Sequence, residues 1–339
     1  MRRSMAAALV LTVLLFGGAY LAAGKTPAQE MVPDGAAQKQ STQGQRDSGV
    51  ELAVKNGDAV ETMALDVYLQ GVVRGEMPAS FEQEALKAQA AAERTYVYYQ
   101  LAAGRKEAHP QADACTDPAC CNAWLSEEAA REKWGGDFGG WERRIEEAVT
   151  ATDGQVALYD GQPILAVFHS SSAGKTAGAG DVWSGDVPYL RSVDSPEGEE
   201  TVPNYYSAAA FSAAEAKSLL AKAHPELTLG GGPDRWFGAV ERDDSGRVRT
   251  VEVCGTALRG VELRRIFALR SACFTIEASA DEVTFRVTGY GHGVGMSQYG
   301  ANELARQGKT WQEILTWYYA DVTVGPAPET VQTPESVVN

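Results

Sequence analysis

One carboxylate, Glu76, stands immediately ahead of a strongly patterned segment of the chain. Ser80 and Gln83 have the spacing of a capping box, and apolar residues follow at helical intervals in an alanine-rich run. The pattern predicts a long helix that begins near Ser80 and carries Arg94, with Glu76 in the loop before it. A glycine and a Met-Pro pair flank Glu76 and restrict that loop. An acid and a cation would thereby face one cleft, although the local pattern alone also fits two solvated surface charges.

A second group of residues has the composition of a metal site. It combines one histidine with three of the five cysteines of the chain: His109, Cys115, Cys120 and Cys121. Three thiolates and an imidazole are the ligands of a closed, structural zinc site, which leaves no open position for a catalytic water. We therefore expect structural zinc and no cofactor for catalysis. A disulfide between Cys115 and Cys120 or Cys121, or free thiols, are the alternatives.

A glycine-rich loop near the C-terminus precedes another predicted helix. Four glycines occur within residues 289–295, which lets the backbone approach a ligand closely, and the helix begins near Ser297. The loop lacks the Gly-Lys-Ser/Thr ending and the strand–helix–strand context of a phosphate-binding loop. Its polar residues instead predict a neutral hydrogen-bonding surface that suits a glycan: His292, Ser297, Gln298 and Tyr299.

Two further segments carry candidate substrate contacts. Ser170 lies beside a histidine in a serine-rich loop, but the Gly-x-Ser-x-Gly elbow of a hydrolase nucleophile is missing from this sequence, which favours substrate contact. Tyr189 and Arg191 are two residues apart on an extended segment, so their side chains project from the same face. An aromatic ring suits a sugar ring, and a guanidinium suits a carboxylate. An ordinary strand with one exposed arginine is the alternative.

The composition of the 339-residue chain argues against one broad class of function. Its net charge of −15 would not neutralise a phosphate backbone, so we expect no nucleic-acid partner. The hydrophobic fraction of 44% is ordinary for a globular protein. The length is sufficient for one large core or two modest ones.

The N-terminal sequence predicts a membrane anchor. Arg2 and Arg3 precede Met5–Gly24, a run of roughly 20 apolar residues, which is the length that a bilayer-spanning helix requires. The positive flank would stay in the cytoplasm, and the chain after Lys25 would lie outside, in a single-pass topology. A cleaved signal peptide is the alternative, because residues 22–24 are small.

The sequence divides into four predicted parts. Residues 1–24 form the cytoplasmic N-terminus and anchor, 25–49 a flexible linker, 50–324 the domain with the candidate site, and 325–339 a disordered tail. Hairpin signals and isolated strands outnumber strand–helix–strand repeats. The predicted fold class is therefore α+β, with mainly antiparallel strands, a long helix in the catalytic region and an N-terminal transmembrane helix.

Four motifs resemble those of one known family, in the family's order. They are LQGVVRGEMPASFEQEALKAQAAAERTY at Leu69–Tyr96, FHSSSAGKT at Phe168–Thr176, VPYLRSVDSP at Val187–Pro196 and GYGHGVGMSQYGA at Gly289–Ala301. The chain is similar to the stage II sporulation protein D family, peptidoglycan lytic transglycosylases of spore-forming bacteria. The resemblance spans most of residues 65–324, and it implies a lytic transglycosylase domain with Glu76 as its single acid/base.

The resemblance also implies a reaction and a setting. The expected enzyme cleaves peptide-free glycan strands between N-acetylmuramic acid and N-acetylglucosamine, and it leaves 1,6-anhydromuramic ends. A partner amidase would prepare the strands, and a membrane protein of the engulfment machinery would be a second partner. The protein would act during sporulation at the mother-cell membrane, facing the septum. Some family members bind zinc near the cysteine cluster, and here Cys120 stands where the family often has histidine.

Two other classes of function are weighed against this expectation. A binding module would grip glycan through the glycine-rich loop without cleaving it. A zinc hydrolase would use His109 and the cysteines for catalysis, and its rate would then depend specifically on zinc.

Overall fold

The architecture is α+β, as predicted, in a computed structural model that describes residues 46–183 and 185–329. Strand pairing in these residues is mainly antiparallel, and the parallel pairs are short. Short 3-10 helices occur at Asp47–Gly49, Gly135–Asp137 and Pro233–Arg235.

The longest helix of the described chain runs from Gln83 to Ala103. In chain order the helices are α1 Leu65–Glu76, α2 Gln83–Ala103, α3 Glu127–Trp134, α4 Phe138–Ala151, α5 Ala179–Val182, α6 Ala213–Ala223, α7 Gly260–Ile266, α8 Gln298–Arg306 and α9 Trp311–Tyr318.

The strands form small sheets rather than one large one. In chain order they are β1 Glu51–Asn56, β2 Ala59–Ala64, β3 Ala114–Cys115, β4 Gln155–Tyr159, β5 Gln162–Pro163, β6 Phe168–His169, β7 Tyr206–Ser212, β8 Phe237–Arg242, β9 Val248–Val253, β10 Thr256–Arg259, β11 Phe274–Ala278, β12 Glu282–Thr288, β13 Met296–Ser297 and β14 Thr323–Pro326. The strand orders are β2-β1-β3, β10-β9-β8, β11-β12-β7, β13-β6 and β14-β4-β5.

Two hydrophobic cores support these elements. The first surrounds α2, whose alanine-rich surface packs against α1, α4, α8, α9 and β4. Small side chains let several helices approach α2 closely, which explains why it is buried although its sequence is not strongly amphipathic. The second core lies among β7, β9, β11, β12, α6 and α7.

The segment around Glu76 differs from the prediction. Residues 65–76 form α1 rather than a strand end and a loop, so Glu76 is the last residue of a helix. Pro78 disfavours helical backbone at Met77, which is extended (φ −123°, ψ 137°). The predicted start at Ser80 is also wrong, because α2 begins at Gln83 and its N-cap, Glu82, makes no side-chain cap.

Other boundaries follow the sequence signals more closely. Thr310 and Glu313 form the expected capping box of α9. Asp160 and Gly161 both have positive φ (49° and 75°), as a two-residue hairpin turn requires. The second strand of this hairpin, β5, is short. The chain then leaves the hairpin, and β6 pairs in parallel with β13. Strand β14 extends into the expected tail.

The prediction of a transmembrane helix requires correction. Within the described ranges, no helix combines the length and the apolar character that crossing a membrane requires. The segment on which the prediction rested, residues 5–24, lies outside the described residues. The single-pass localisation inferred from that segment is therefore not supported.

Candidate active site

Glu76 lies half-buried at the end of α1, at the wall of a cavity of about 230 Å³. The cavity is lined by Glu76, Tyr96, Pro118, Cys121, Asn122, Ala166, Val167, Phe168 and His292. Most of these residues come from three of the four sequence motifs and from the cysteine-containing segment. The fold therefore brings together groups that are far apart in the sequence.

Two contacts fix Glu76. Its side-chain Oε1 accepts a hydrogen bond from the amide of Ala123 at 2.6 Å, and its carbonyl oxygen accepts one from Nε2 of Gln298 at 3.0 Å. Burial raises the pKa of the Glu76 carboxyl, and the bond from Ala123 opposes that rise. The helix end at which Glu76 lies also carries a negative partial charge, so it does not favour the ionised form. Protonation of this carboxyl is thereby favoured.

The segment around Ala123, whose amide donates to Glu76, packs directly on α1 because two glycines of that helix leave room for it. A Cβ atom on Gly75 would lie 2.6 Å from the carbonyl oxygen of Ala123. A Cβ on Gly71 would collide with the ring of Trp124. Larger residues at these positions would push the Ala123 amide away from the carboxyl.

A second carboxyl, Glu93, belongs to the same site and was missed by the sequence analysis. Glu93 is fully buried on α2 and accepts hydrogen bonds from Nε2 of Gln89 and Nδ2 of Asn122, both at 2.8 Å. Burial raises its pKa well above the ordinary value, and the charge of Glu76 adds to the rise. A weak signal was present in the sequence, since Gln89 precedes Glu93 by one helical turn in an otherwise alanine-rich run.

Arg94 does not face the cavity, contrary to the prediction. It is fully buried, and its Nε donates to Oδ2 of Asp47 at 2.7 Å. The remaining guanidinium nitrogens donate to Thr152, Gln155 and Val149. Consecutive helical residues point about 100° apart, so Arg94 and Glu93 contact different surroundings. Arg94 is a structural residue that joins α2 to α4 and to the start of the described chain.

The glycine-rich loop brings His292 to the cavity. The ring lies 5.7 Å from His169 and 5.5 Å from Trp183, measured between centroids. Its Nδ1 accepts from the amide of Val294 at 3.1 Å. Burial lowers the pKa of His292 to about 4, with further lowering from Arg247 and Arg264. The imidazole is therefore neutral at physiological pH and acts as a hydrogen-bonding group.

Two other residues predicted from this loop, Ser297 and Tyr299, make hydrogen bonds that support the structure around the cavity. Ser297 caps α8 and donates to Oε1 of Glu197 at 2.5 Å, and Tyr299 donates its amide to the carbonyl oxygen of Ser170 at 3.1 Å. Glu197 also accepts from the amide of Ser172 at 2.6 Å. This buried carboxylate, which the sequence analysis did not single out, links the serine-rich loop to α8.

The four predicted metal ligands are brought together. The donor atoms of His109, Cys115, Cys120 and Cys121 all lie within 4.8 Å of one another. Nδ1 of His109 is 2.9 Å from the carbonyl oxygen of Ala112, which leaves Nε2 directed at Sγ of Cys121, 3.4 Å away. Three sulfurs and one imidazole nitrogen at this spacing fit a tetrahedral zinc ion. All five cysteines are free thiols in the structure.

Comparison with known proteins identifies the family. A family model described as SpoIID, stage II sporulation protein, matches residues 54–159. Stage II sporulation protein D of Bacillus subtilis (strain 168) is 35% identical over 270 residues, which cover 79% of this chain and 76% of that protein. The chain belongs to the stage II sporulation protein D family.

Other relatives agree with this membership. Stage II sporulation protein D of Bacillus amyloliquefaciens is 35% identical over 79% of this chain and 76% of its own length. The amidase enhancer of Bacillus subtilis (strain 168) is 26% identical over 76% of this chain and 40% of its own length. Family membership makes this chain a sporulation-related cell-wall protein.

Two residues in the third motif of the family resemblance do not line the Glu76 cavity. The hydroxyl oxygen of Tyr189 accepts from the amide of Leu165 at 2.9 Å, and its ring packs against Tyr159. Arg191 is exposed and pairs with Asp321 at 3.1 Å. Leu165 precedes the cavity residues 166–168, so Tyr189 supports the cavity wall from behind.

Proposed function

We propose that the protein is a peptidoglycan lytic transglycosylase in which Glu76 is the single acid/base. Its substrate would be peptide-free glycan, cut between N-acetylmuramic acid and N-acetylglucosamine. The observation that carries the proposal is the Glu76 carboxyl itself, which faces a cavity and whose pKa is raised by burial. A carboxyl of this kind keeps the proton that a general acid needs.

In the proposed reaction, Glu76 gives up one proton in the first step and gains one in the second. Glu76 donates its proton to the glycosidic oxygen as the bond from that oxygen to C1 of the muramic acid breaks. The resulting carboxylate then accepts the proton of the C6 hydroxyl, and the oxygen of that hydroxyl bonds to C1. The product is a 1,6-anhydro sugar, no water is consumed, and Glu76 is protonated again.

The surroundings of Glu76 support both protonation states. Burial favours the acid, while the amide of Ala123 can donate to the carboxylate formed after the first step. The amide is held in place before the reaction, so this stabilisation needs little reorganisation.

Glu93 is not suited to be the second catalytic carboxylate of a hydrolase. Its side chain is fully buried, and both oxygens already accept hydrogen bonds from Gln89 and Asn122. Neither oxygen is free to activate a water or attack C1, as a two-carboxylate glycosidase requires. This arrangement favours the one-carboxyl mechanism over hydrolysis.

We also propose that zinc, held by His109 and the three cysteines, has a structural role. A metal with four protein ligands would stabilise the fold of the cysteine-containing segment and leave no position for substrate. Cys121 directly precedes Asn122 and Ala123, which contact Glu93 and Glu76. The metal would thereby fix the position of the Ala123 amide.

The proposed setting is septal wall remodelling and engulfment during sporulation. A relative named amidase enhancer supports a partnership with an amidase, which would remove the stem peptides first. A membrane protein of the engulfment machinery is the second proposed partner.

The decisive experiment compares products of cleavage. Peptide-free glycan strands are incubated with the full chain, with Glu76→Gln, or with Glu82→Gln, and the products are analysed by mass spectrometry. Glu82→Gln is the matched control, because its carboxyl is about half exposed (51%) and lies six positions further along the chain. New 1,6-anhydromuramic ends are expected from the wild type and Glu82→Gln only.

Each other outcome contradicts a defined part of the proposal. Ordinary reducing ends would indicate hydrolysis and a second carboxylate. Glycan binding without any new ends would indicate a binding module. Cleavage that is lost on metal removal from a protein that stays folded, and restored by zinc alone, would indicate a zinc hydrolase.

A further inference from the structure

A cluster of arginines borders the glycine-rich loop on the second core. A cavity of about 590 Å³ is lined there by Arg264, Arg265, Arg270 and Tyr290, among others. The chain as a whole carries a net charge of −15, so a concentration of positive charge in one cavity is unexpected.

Asp243 is close enough to act electrostatically on Arg247 and to raise its pKa, but it forms no ion pair with the cluster. Among the ion pairs formed within the described ranges, none involves Arg247, Arg264, Arg265 or Arg270. The Arg270 guanidinium lies over the ring of Tyr290, 4.3 Å from its centroid, and its Nε is buried without a hydrogen-bond partner. Arg264 donates to a carbonyl oxygen, that of Leu269, at 3.3 Å.

Arg247 extends the cluster into the protein. It is only 3% exposed, its Nη2 donates to the carbonyl oxygen of Gly291 at 3.1 Å, and its Nε has no partner. Burial lowers the pKa of Arg247 to about 10, and the positive charge of Arg264 contributes to the lowering. Guanidinium groups held together without an anion are costly, and a bound anion would remove that cost.

The arginine cavity adjoins the Glu76 cavity along the glycine-rich loop. Tyr290 lines the first cavity, and His292, two residues later, lines the second. The amide of Gly291 donates to the carbonyl oxygen of Arg270 at 2.9 Å, which fixes the loop against the cluster. The Gly291–Arg270 bond and the short spacing between Tyr290 and His292 place the two cavities on neighbouring parts of one loop.

We propose that this arginine cavity binds the free lactyl carboxylate of a peptide-free muramic acid residue. This inference rests on the proposed glycan substrate. The sugars of such a strand are neutral apart from that carboxylate, and a stem peptide converts it into an amide. A guanidinium fork fits a carboxylate through two parallel hydrogen bonds and gains little from a neutral amide. The cavity would thus select strands from which the peptides have been removed.

The test measures binding, so that it does not depend on cleavage. The full chain with Glu76→Gln is titrated calorimetrically with a peptide-free tetrasaccharide of alternating N-acetylglucosamine and N-acetylmuramic acid. The comparison ligands are the same tetrasaccharide with its stem peptides and a chitin tetrasaccharide, which has no carboxylate. The peptide-free ligand is expected to bind roughly 10- to 100-fold more tightly than either.

Substitution then locates the site. Adding Arg270→Gln is expected to remove most of that preference, whereas Arg131→Gln, an exposed arginine on α3, should leave it unchanged. Arg270→Lys keeps the charge but loses the fork, so an intermediate preference is expected. Thermal melts establish that each variant is folded.

The outcomes separate this inference from the proposed function. Equal binding of the peptide-free and chitin tetrasaccharides would overturn the proposed carboxylate site. This comparison needs no arginine variant. An undiminished preference in folded Arg270→Gln would also overturn the site, even if the wild type produces 1,6-anhydro ends. Carboxylate-dependent binding by a protein that never cleaves glycan would remove the proposed enzyme and leave the binding site standing.

Discussion

Glu93 and Arg94 are consecutive residues of α2, yet they belong to two regions with different partners for a buried ionisable group. One region supplies a countercharge, and the other supplies only neutral hydrogen-bond donors. In the ion-pair region, Arg94 contacts Asp47, Thr152, Gln155 and Val149, so each end of the guanidinium has an acceptor. In the carboxyl region, Glu76 and Glu93 contact Gln89, Asn122 and Ala123, which are neutral donors.

The difference concerns what each region is free to do. A compensated guanidinium stabilises the fold and has no further capacity to bind substrate. Two carboxyls with neutral hydrogen-bond donors around them have raised pKa values, so each holds its proton to a higher pH than an exposed carboxyl does. The face of α2 that carries Glu93 adjoins the proposed catalytic carboxyl, and the face that carries Arg94 stabilises the fold.

The largest expected effect is the loss of cleavage in Glu76→Gln. The substitution retains the shape of the side chain but removes its transferable proton, so the rate should fall about 10²- to 10⁴-fold. The rate of 1,6-anhydro product formation and the thermal midpoint are measured together. An unchanged rate would show that the carboxyl region takes no part in catalysis.

Arg94→Met should lower the stability of the fold and leave cleavage unchanged, which is the reverse of the effect expected for Glu76→Gln. It leaves the Asp47 carboxylate buried without its cation, which typically costs about 3–5 kcal/mol of unfolding free energy. Denaturant titration measures that loss, and cleavage per folded molecule should match the wild type. The control is Arg131→Met, whose arginine is exposed and whose effect should stay within about 0.5 kcal/mol. A stable Arg94→Met protein with poor cleavage would reverse the assignment of the two regions.

Glu93→Gln tests the pH dependence of the carboxyl region. The raised pKa of Glu93 means that the folded state holds a proton that the unfolded state releases above about pH 4.5. The stabilisation is complete below that pH and is lost as pH rises through the folded-state pKa. Glu93→Gln should therefore be more stable than the wild type at pH 8, on the order of 1 kcal/mol, and similar to it at pH 4.

Unfolding free energies between pH 4 and pH 8 provide the measurement. Glu82→Gln controls for the loss of one carboxylate at an exposed position. A variant less stable than the wild type at pH 8 would show that the ionised form of Glu93 is required by the fold.

The smallest effect is expected at Arg191. Its ion pair with Asp321 is exposed on both sides (56% and 65%), so Arg191→Gln should change the unfolding free energy by less than about 1 kcal/mol. Cleavage should be unchanged if the residue stays outside the site. A clear rise in KM would instead restore Arg191 as a substrate contact, because such an effect cannot come from the ion pair.

Much of the site could be predicted because short motifs encode it. The glycine-rich loop, the Ser297 cap and the four candidate metal ligands were identified from residue types and spacing, and the structure brings each set together. In these cases the local sequence determines the geometry.

The rest depends on packing between distant segments, which a single sequence does not show. The alanine-rich sequence of α2 predicted a helix but not which neighbours cover each face, so Arg94 was assigned to the cleft and Glu93 was overlooked. Similarly, Glu76 was expected in a loop, yet residues 65–76 form α1, whose glycines leave room for the segment at Ala123 and Trp124. Tertiary contacts decided these points against local propensity.

The hydrogen bonds that connect the end of α1 and the start of α2 to the C-terminal helices have a consequence for how the protein folds. Gln298 bonds to Glu76, Asn302 to Glu82 and Trp311 to Glu84, across 222, 220 and 227 residues. Closing such long loops costs chain entropy, and contacts of this kind slow folding. During synthesis, α1 and α2 emerge long before α8 and α9, so Glu76 reaches its final position only after the last helices dock. The proposed enzyme would therefore remain inactive on the ribosome and during early folding.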